Sequence, residues 1–366
     1  MAKFADVLTI VNGRNQRQVE NPKGKYPIYG SGGIMGYAND YICEADTVVI
    51  GRKGSINKPI FVETPFWNVD TAFGLHADRS KLVPKYLYYF CEEYDFERLN
   101  TTVTIPSLTK ANLLNIEIPL PPLDEQRRIA ALLDKVSDLI TKRRAQLDKL
   151  DLLVKARFVE MFGDPGSNPM RWDTVELSHC LSGIDNGKSL VCDTKPRQGN
   201  WPAILKLSAA TYGYYQPEEN KAMLNENEFV NSAEVQVGDL LFTRKNTPEL
   251  VGMCAYVYET PGKLMMPDLI FRLNTNETCN RIFLWKLINH DLFRENIKAI
   301  SSGSAKSMSN ISKERLCELK IILPPIELQQ QFVDFVRQTD QSKLTIQQSL
   351  DKLETLKKDL MQQYFG

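Results

Sequence analysis

The chain has 366 residues, with 45 Lys plus Arg balanced by 45 Asp plus Glu, 43% hydrophobic and 25% charged residues. That length suits two or three domains and that composition an ordinary globular protein. Zero net charge argues against a coat for nucleic acid of any sequence, although local basic patches stay open. Seven cysteines (Cys43, Cys91, Cys180, Cys192, Cys254, Cys279, Cys317) show no C-x-x-C spacing, so neither a zinc site nor a disulfide framework is indicated, and reduced thiols are expected. The start, Met1-Ala2-Lys3-Phe4-Ala5-Asp6, has no signal-peptide apolar region, and no apolar run approaches the roughly 18 residues that span a bilayer. A cytoplasmic protein without membrane contact is the expectation.

Residues 1–118 read as a first domain of mixed strand and helix. Tyr29-Gly30-Ser31-Gly32-Gly33-Ile34-Met35-Gly36 precedes a short buried strand, Asp46-Thr47-Val48-Val49-Ile50-Gly51, and Arg52-Lys53-Gly54-Ser55 follows it directly. Pro84 opens a helix through Tyr86-Leu87-Tyr88-Tyr89-Phe90. Residues 119–165 read as a first long helix, which begins where that domain ends. Pro121-Pro122 cannot continue a strand and fixes the chain before the helix start; Asp124 and Glu125 put negative charge at the positive end of its dipole. Apolar residues then step by four and three through Ile129, Leu133, Val136, Ile140, Leu147, Leu150, Val154 and Met161, a coiled-coil seam interrupted by Arg143 and Arg157.

Phe162-Gly163-Asp164-Pro165 leads into a second domain, residues 166–323, and residues 324–366 form a second spacer helix. Its seam is Phe332, Val336, Ile346, Leu350, Leu353 and Leu360, with Thr339 and Lys343 at seam positions. Two helices of nearly forty residues exceed the usual globular length, and each spans roughly 55 Å at 1.5 Å per residue. Two amphipathic helices buried in separate cores are the plainer alternative.

The second half repeats the first. Pro324-Pro325-Ile326-Glu327-Leu328-Gln329 answers Pro121-Pro122-Leu123-Asp124-Glu125-Gln126, Asp351-Lys352-Leu353 answers Asp148-Lys149-Leu150, and Phe365-Gly366 answers Phe162-Gly163. Within the domains, Asn186-Gly187 answers Asn12-Gly13, Asp239 to Arg244-Lys245 answers Asp46 to Arg52-Lys53, Asp268 to Phe271 answers Asp70 to Phe73, and the segment 307–313 answers 104–110. So long a period implies a domain plus a helix per copy. The expected fold is α+β: two similar mixed α/β domains held apart by an antiparallel coiled coil of two long helices, with a pseudo-twofold internal repeat.

The P-L-P-P-L-x-E-Q-R-x-I-A opening at 119–130, the long helix behind it and the exit Phe158-Val159-Glu160-Met161-Phe162-Gly163-Asp164-Pro165 resemble the specificity subunit of type I restriction-modification systems, over the whole chain. The resemblance implies two target recognition domains, each reading one half-site of an asymmetric bipartite DNA target whose spacer the coiled coil sets. It implies no catalysis in this chain. Double-stranded DNA would be one partner, two methyltransferase subunits that methylate adenine with S-adenosylmethionine another, and two restriction/translocase subunits using ATP and Mg a third; none of these cofactors belongs to this chain. The second helix start departs from the pattern: Leu328 and Gln330-Gln331 stand where the first has Glu125 and Arg127-Arg128, so the two starts are not expected to dock a partner equally.

The candidate DNA contacts in the first domain are Gly30, Ser31, Gly32, Gly33, Arg52, Lys53 and Lys110. In the second they are Asn186, Lys188, Arg244, Lys245, Asn246, Ser302, Gly303, Ser304 and Lys306. Glycine loops let backbone amides approach phosphate, and Arg or Lys after a strand supplies donors for phosphate or guanine edges; tight turns and solvated surface pairs are the alternative roles. An enzyme fits poorly. There is no N/D-P-P-Y/F motif to hold a flipped adenine, no Rossmann loop followed by a helix, and no G-x-x-x-x-G-K phosphate loop. His76, His179 and His290 lack ligand spacing. Two further alternatives keep the architecture: the specificity chain of a type II system whose partner both cuts and methylates, and a coiled-coil scaffold with two protein-binding heads.

Overall fold

The structure is a computed structural model and describes residues 1–53, 55–99, 107–303 and 308–366. The chain divides into two compact units, Met1–Gln146 with Thr345–Gly366, and Leu147–Leu344. In chain order the elements up to the first long helix are β1 (Ala2–Lys3), α1 (Phe4–Val7), β2 (Leu8–Asn12), β3 (Tyr26–Gly30), β4 (Gly33–Ala38), β5 (Thr47–Gly51), β6 (Ile60–Val62), β7 (Trp67–Asn68), β8 (Ala72–Ala77), α2 (Pro84–Glu93), α3 (Lys110–Leu114), β9 (Glu117–Ile118) and α4 (Leu123–Phe162). The rest are β10 (Thr174–Glu176), β11 (Leu181–Asn186), β12 (Ala203–Leu205), α5 (Ser208–Thr211), β13 (Asn220–Ala222), β14 (Leu240–Thr243), β15 (Lys245–Asn246), β16 (Cys254–Tyr256), β17 (Leu264–Met265), β18 (Ile270–Thr275), α6 (Arg281–Ile288), α7 (Arg294–Ala299), β19 (Ser309–Asn310), α8 (Lys313–Cys317), β20 (Lys320–Ile322) and α9 (Ile326–Phe365).

The repeat read from sequence extends to strand order. In the first unit a four-stranded sheet runs β2-β8-β5-β6 and a three-stranded sheet β4-β3-β7; in the second the orders are β11-β18-β14-β16 and β13-β12-β17. Even the parallel pairing recurs, Ile28 opposite Trp67 in one and Ala203 opposite Leu264 in the other, among otherwise antiparallel ladders. The central strand β5, Thr-Val-Val-Ile-Gly, is buried at every position, as is β14. That is why both read as continuous apolar runs rather than alternating ones. A two-stranded ladder closes each domain, β1 with β9 and β10 with β20.

α4 and α9 are each 40 residues long. Within the first unit, Ile129 and Leu133 of α4 share a core with Met361 of α9 and with Tyr86 and Phe90 of α2, while Arg144 pairs with Glu354 at 2.6 Å. Residue numbers fall along α9 as they rise along α4, so the helices run antiparallel. The second unit repeats this with the roles exchanged: Lys343 pairs with Asp151, and Phe158 and Phe162 of α4 each lie 5.4 Å from Phe332 of α9 by ring centroids. Burying each such ring contributes about 1.5–3 kcal/mol.

Of the expected seam residues, Ile129, Leu133, Val136, Ile140, Val154, Phe332, Val336 and Leu350 are buried. Leu147, Leu150, Ile346, Leu353 and Leu360 are only half-buried. Met161 is likewise half-buried against the core of the second unit, where the fully inaccessible residues of α4 are Phe158 and Phe162, which the seam left out. There α4 meets a globular core rather than a single partner helix, so the apolar step becomes four and follows the 3.6-residue turn instead of the heptad.

The helix starts are locked by a buried glutamine that the repeat also duplicates. Gln126 is fully buried; its amide donates to Pro121 O (2.8 Å) and Lys81 O (3.0 Å), and its Oε1 accepts from Val83 N (2.9 Å), the residue that caps α2. Gln329 does the same with Pro324 O (2.8 Å), Thr278 O (3.2 Å) and Asn280 N (2.9 Å) at the cap of α6. Replacing Gln126 by Leu leaves three part-buried backbone groups without this partner, each costing at most about 1–3 kcal/mol. The expected outcome is faster hydrogen exchange of the Val83 amide and the first turn of α2, with unchanged protection around Asn280. Wild-type protection at Val83 in that variant would show that the glutamine is not the lock.

Candidate nucleic-acid interface

In both units the candidate residues gather where three strands of the larger sheet end. In the first, Asn12 lies opposite Phe73 and Gly51 opposite Ala72, so β2, β5 and the start of β8 finish together. The chain leaves β5 as Arg52, whose amide donates to Thr71 O (2.8 Å) and whose carbonyl accepts from Leu108 N (2.9 Å). In the second unit the same positions carry Asn186 opposite Phe271 and Thr243 opposite Ile270; Arg244 N donates to Leu269 O (3.0 Å) and Arg244 O accepts from Ile311 N (2.8 Å). The arginine leaves each strand through the same backbone bonds.

Its side chain is held in the same way too. The Arg52 guanidinium sits 5.8 Å from the Phe73 ring centroid and that of Arg244 5.1 Å from Phe271. Stacking on a ring fixes the plane of the guanidinium and leaves its N–H edge for other acceptors. Arg244 spends part of that edge on Asn310 Oδ1, at 3.3 and 3.2 Å. Among the described residues Arg52, Lys53, Lys188 and Lys245 make no side-chain hydrogen bond or ion pair, so their charge is uncompensated there. Gly13 and Gly187 explain the recurring Asn-Gly: a Cβ would lie 1.7 Å from Val69 O or 2.1 Å from Pro267 O, so only glycine lets the chain turn past β8 or β18.

The glycine run forms the tip of the β3–β4 hairpin, with Gly30 opposite Gly33, Ser31 and Gly32 between them, and Gly33 at φ 115°. A Cβ on Gly51 would come 3.1 Å from Ser31 Cβ, which puts the tip beside Arg52. A Cβ at Gly32 or Gly33 would meet open space, so the turn conformation accounts for Gly33 and internal packing does not. In the second unit Ser302 pairs with Asn310, and Asn310 pairs with Lys245, which joins Ser302, Gly303, Arg244 and Lys245 in one patch. Ser304 and Lys306 lie outside the described residues. Lys188 follows the Gly187 turn, its amide donating to Met266 O (3.0 Å).

Two candidates are already committed to the fold. Lys110 Nζ donates to Ile10 O (2.9 Å), as Lys313 Nζ does to Ile184 O (2.6 Å) in the second unit; each lysine ties a short helix, capped by Thr109 or Ser312, to the edge strand. Asn246 departs from the surface position expected of it. It is buried, its Nδ2 donating to Thr211 Oγ1 (3.1 Å) and its Oδ1 accepting from Thr247 N (2.8 Å), because β15 turns that side chain inward as it pairs with β19. Sequence reasoning missed Phe73, Phe271 and Asn310 as partners of the arginines, although all three fall inside segments whose recurrence it registered. It also missed Ile34, Met35 and Tyr37, exposed on the hairpin beside the arginine.

Among the described residues no group of His, Cys, Asp and Glu could hold a metal ion, and no helix is long and apolar enough to cross a membrane. His76 and His290 are engaged locally, with Thr47 Oγ1 (3.0 Å) and as the cap that accepts from Leu292 N (3.3 Å).

The chain is 28% identical over 218 residues to the type I restriction enzyme EcoEI specificity subunit of Escherichia coli, a match covering 57% of this chain and 36% of that protein. It is 23% identical over 304 residues to the EcoKI specificity subunit of Escherichia coli strain K12, covering 79% and 65%. It thus spans less than two thirds of the length of either relative. The crystal structure of the S subunit of a type I restriction-modification system from M. genitalium superposes with a TM-score of 0.65 at 16% identity, covering 100% of this chain and 95% of that one, which bears out the fold. The model of the type I restriction modification DNA specificity domain matches twice, at residues 1–149 and 189–357. With both copies accounted for, the chain belongs to the type I restriction-modification DNA specificity family.

Proposed function

We propose that this chain is the DNA-reading, non-catalytic subunit of a type I restriction-modification complex in the cytoplasm. Each domain reads one half-site through the strand-end patch of Arg52-Lys53 or Arg244-Lys245, and the two long helices set the spacer between half-sites. Adenine methylation with S-adenosylmethionine, and ATP- and Mg-dependent restriction, then fall to partner subunits, two of each. The observation that carries this reading is the duplicated arginine, leaving the same strand end and stacked on the same phenylalanine, with unlike neighbours around it. Stacked arginine presents a planar donor edge suited to guanine or phosphate. The unlike neighbours, a glycine hairpin in one unit and Asn310 with Ser302 in the other, suit unlike half-sites.

The proposal is tested with the chain and its methyltransferase subunit on duplexes bearing the target, once methylome sequencing has identified it. Arg244→Ala should cost about 1–3 kcal/mol in binding and relax base choice in one half-site only; equal loss at both would point to misfolding. Affinity should fall linearly with salt on a log–log scale, and Lys53→Ala should reduce that slope by about one. Inserting four residues after Lys142, about one helical turn, should change the preferred spacer or abolish binding while each half-site is still read by its own domain. An unchanged spacer preference would show that the helices are not the ruler.

A further inference from the structure

A second charged feature lies in the second unit at the opposite end of the same sheet. β14 runs from Leu240, opposite Tyr256, to Thr243, and Arg244 follows; four strand residues, roughly 13 Å, separate Tyr256 from the interface. At the Tyr256 end a cleft of about 310 Å³ is lined by Tyr256, Asn276, Glu277, Arg281, Ile326 and Arg337, among others. Arg281 donates to Gly238 O (2.9 Å), and its charge also acts on the buried Asp239 carboxylate, although no carboxylate lies within ion-pair distance of it among the described residues. Arg337 has no hydrogen bond or ion pair among the described residues. Its neighbour one turn on, Asp340, is taken by Tyr258 (2.6 Å) and Lys343 (3.7 Å), and Asp334 accepts from Gln330 (2.8 Å). Glu277 is exposed and forms no ion pair among the described residues.

The first unit shows what the same place looks like when its charge is used up. In the register that equates Pro121 with Pro324 and Phe162 with Phe365, Asp134 stands where Arg337 does. It accepts from Tyr89 (2.6 Å) and lies 3.5 Å from Lys85 Nζ. Pro84, the first residue of α2, stands where Arg281 opens α6, and Phe61, opposite Val48 and covered by Lys85 Nζ at 4.3 Å, stands where Tyr256 does. One junction is thus satisfied internally, and the other holds the unpaired Arg337 guanidinium beside a cleft it shares with Arg281.

We propose that this cleft takes an acidic segment of a protein partner, a carboxylate engaging Arg281 and Arg337, and that the corresponding corner of the first unit does not. The assignment rests on the proposed function, with the methyltransferase subunit as the partner. Guanidinium groups match carboxylates bidentately. The lining is largely polar, unlike the apolar walls of small-molecule sites. The position at the sheet end away from Arg244 separates it from the DNA-reading patch. Identical partner copies meeting the two units therefore bind unequally, a difference already hinted at by Gln330-Gln331 in place of Arg127-Arg128.

The test uses the full chain with the methyltransferase subunit, read by titration calorimetry and native mass spectrometry. Arg337→Glu should weaken one partner copy by about 10- to 100-fold and leave the other at wild-type affinity, with Arg337→Lys, which keeps the charge but not the bidentate fork, falling between the two and thermal unfolding unchanged in both. Binding of both copies by Arg337→Glu as tightly as by wild type overturns the inference alone. So does an effect confined to duplex binding by the chain without partner, which would assign the cleft to phosphate. A wild-type chain that binds no methyltransferase overturns the parent reading as well.

Discussion

A side-chain amide with no access to water must find all its hydrogen bonds inside the protein, and at Gln126 and Gln329 that requirement organises everything around it. Each glutamine bonds the carbonyl of the first proline of its own Pro-Pro pair and reaches across to the backbone that opens α2 or α6. The prolines deliver the chain at a fixed angle, the glutamine welds helix start to domain, and the aromatic residues behind it complete the core. Because an unsatisfied buried amide is costly, neither the helix direction nor the α2 or α6 cap can shift without breaking the other. The short motif that marks the repeat in the sequence is therefore a joint.

The joint also explains why one unit borrows from both long helices. The first packs α2 against the beginning of α4 and the end of α9, with Tyr86 5.0 Å from Phe365. The second packs α6 against the beginning of α9 and the end of α4, with Phe283 5.0 Å from Phe162. Each helix closes one core with its first turns and the other with its last. The middle of each, around Leu147, Leu150 and Leu353, buries less and carries ion pairs such as Arg144 with Glu354 instead. Pairs this exposed add little stability. Within each unit the burial is concentrated at its aromatic residues.

How much of this was legible in the sequence depends on what each residue answers to. Helix extent, the buried strand before each arginine and the pairing of Arg52 with Arg244 were readable because burial and backbone geometry constrain them twice, once per copy. Gly13 and Gly187 recur because a Cβ has no room; Lys110 and Lys313 recur because each braces a capped helix against an edge strand. The same logic misled where recurrence was read as contact with a ligand, since Lys110 repeats for reasons of folding. Asn246 was misread because alternation along a two-residue strand cannot be told from a loop. Phe158 and Phe162 were left out of the seam because a heptad extrapolated into a globular core keeps the wrong period.

What the duplication does not preserve is as informative as what it does. Positions that pair with the fold are equivalent in the two copies, down to the backbone bonds of the strand-end arginines. Positions that face outward have diverged: a glycine hairpin with exposed Ile34 and Met35 beside Arg52, against Asn310 and Ser302 beside Arg244; Asp134 held by Tyr89 and Lys85, against Arg337 held by nothing described. A gene duplicated for stability alone would have no reason to lose its ion pairs at one junction and keep them at the other, because an unpaired guanidinium group there contributes nothing to folding. Unlike neighbours at one end of the second unit's sheet and an unpaired Arg337 at the other, with the joint between them intact, suit one end that answers to a nucleic-acid sequence and another that answers to a protein surface.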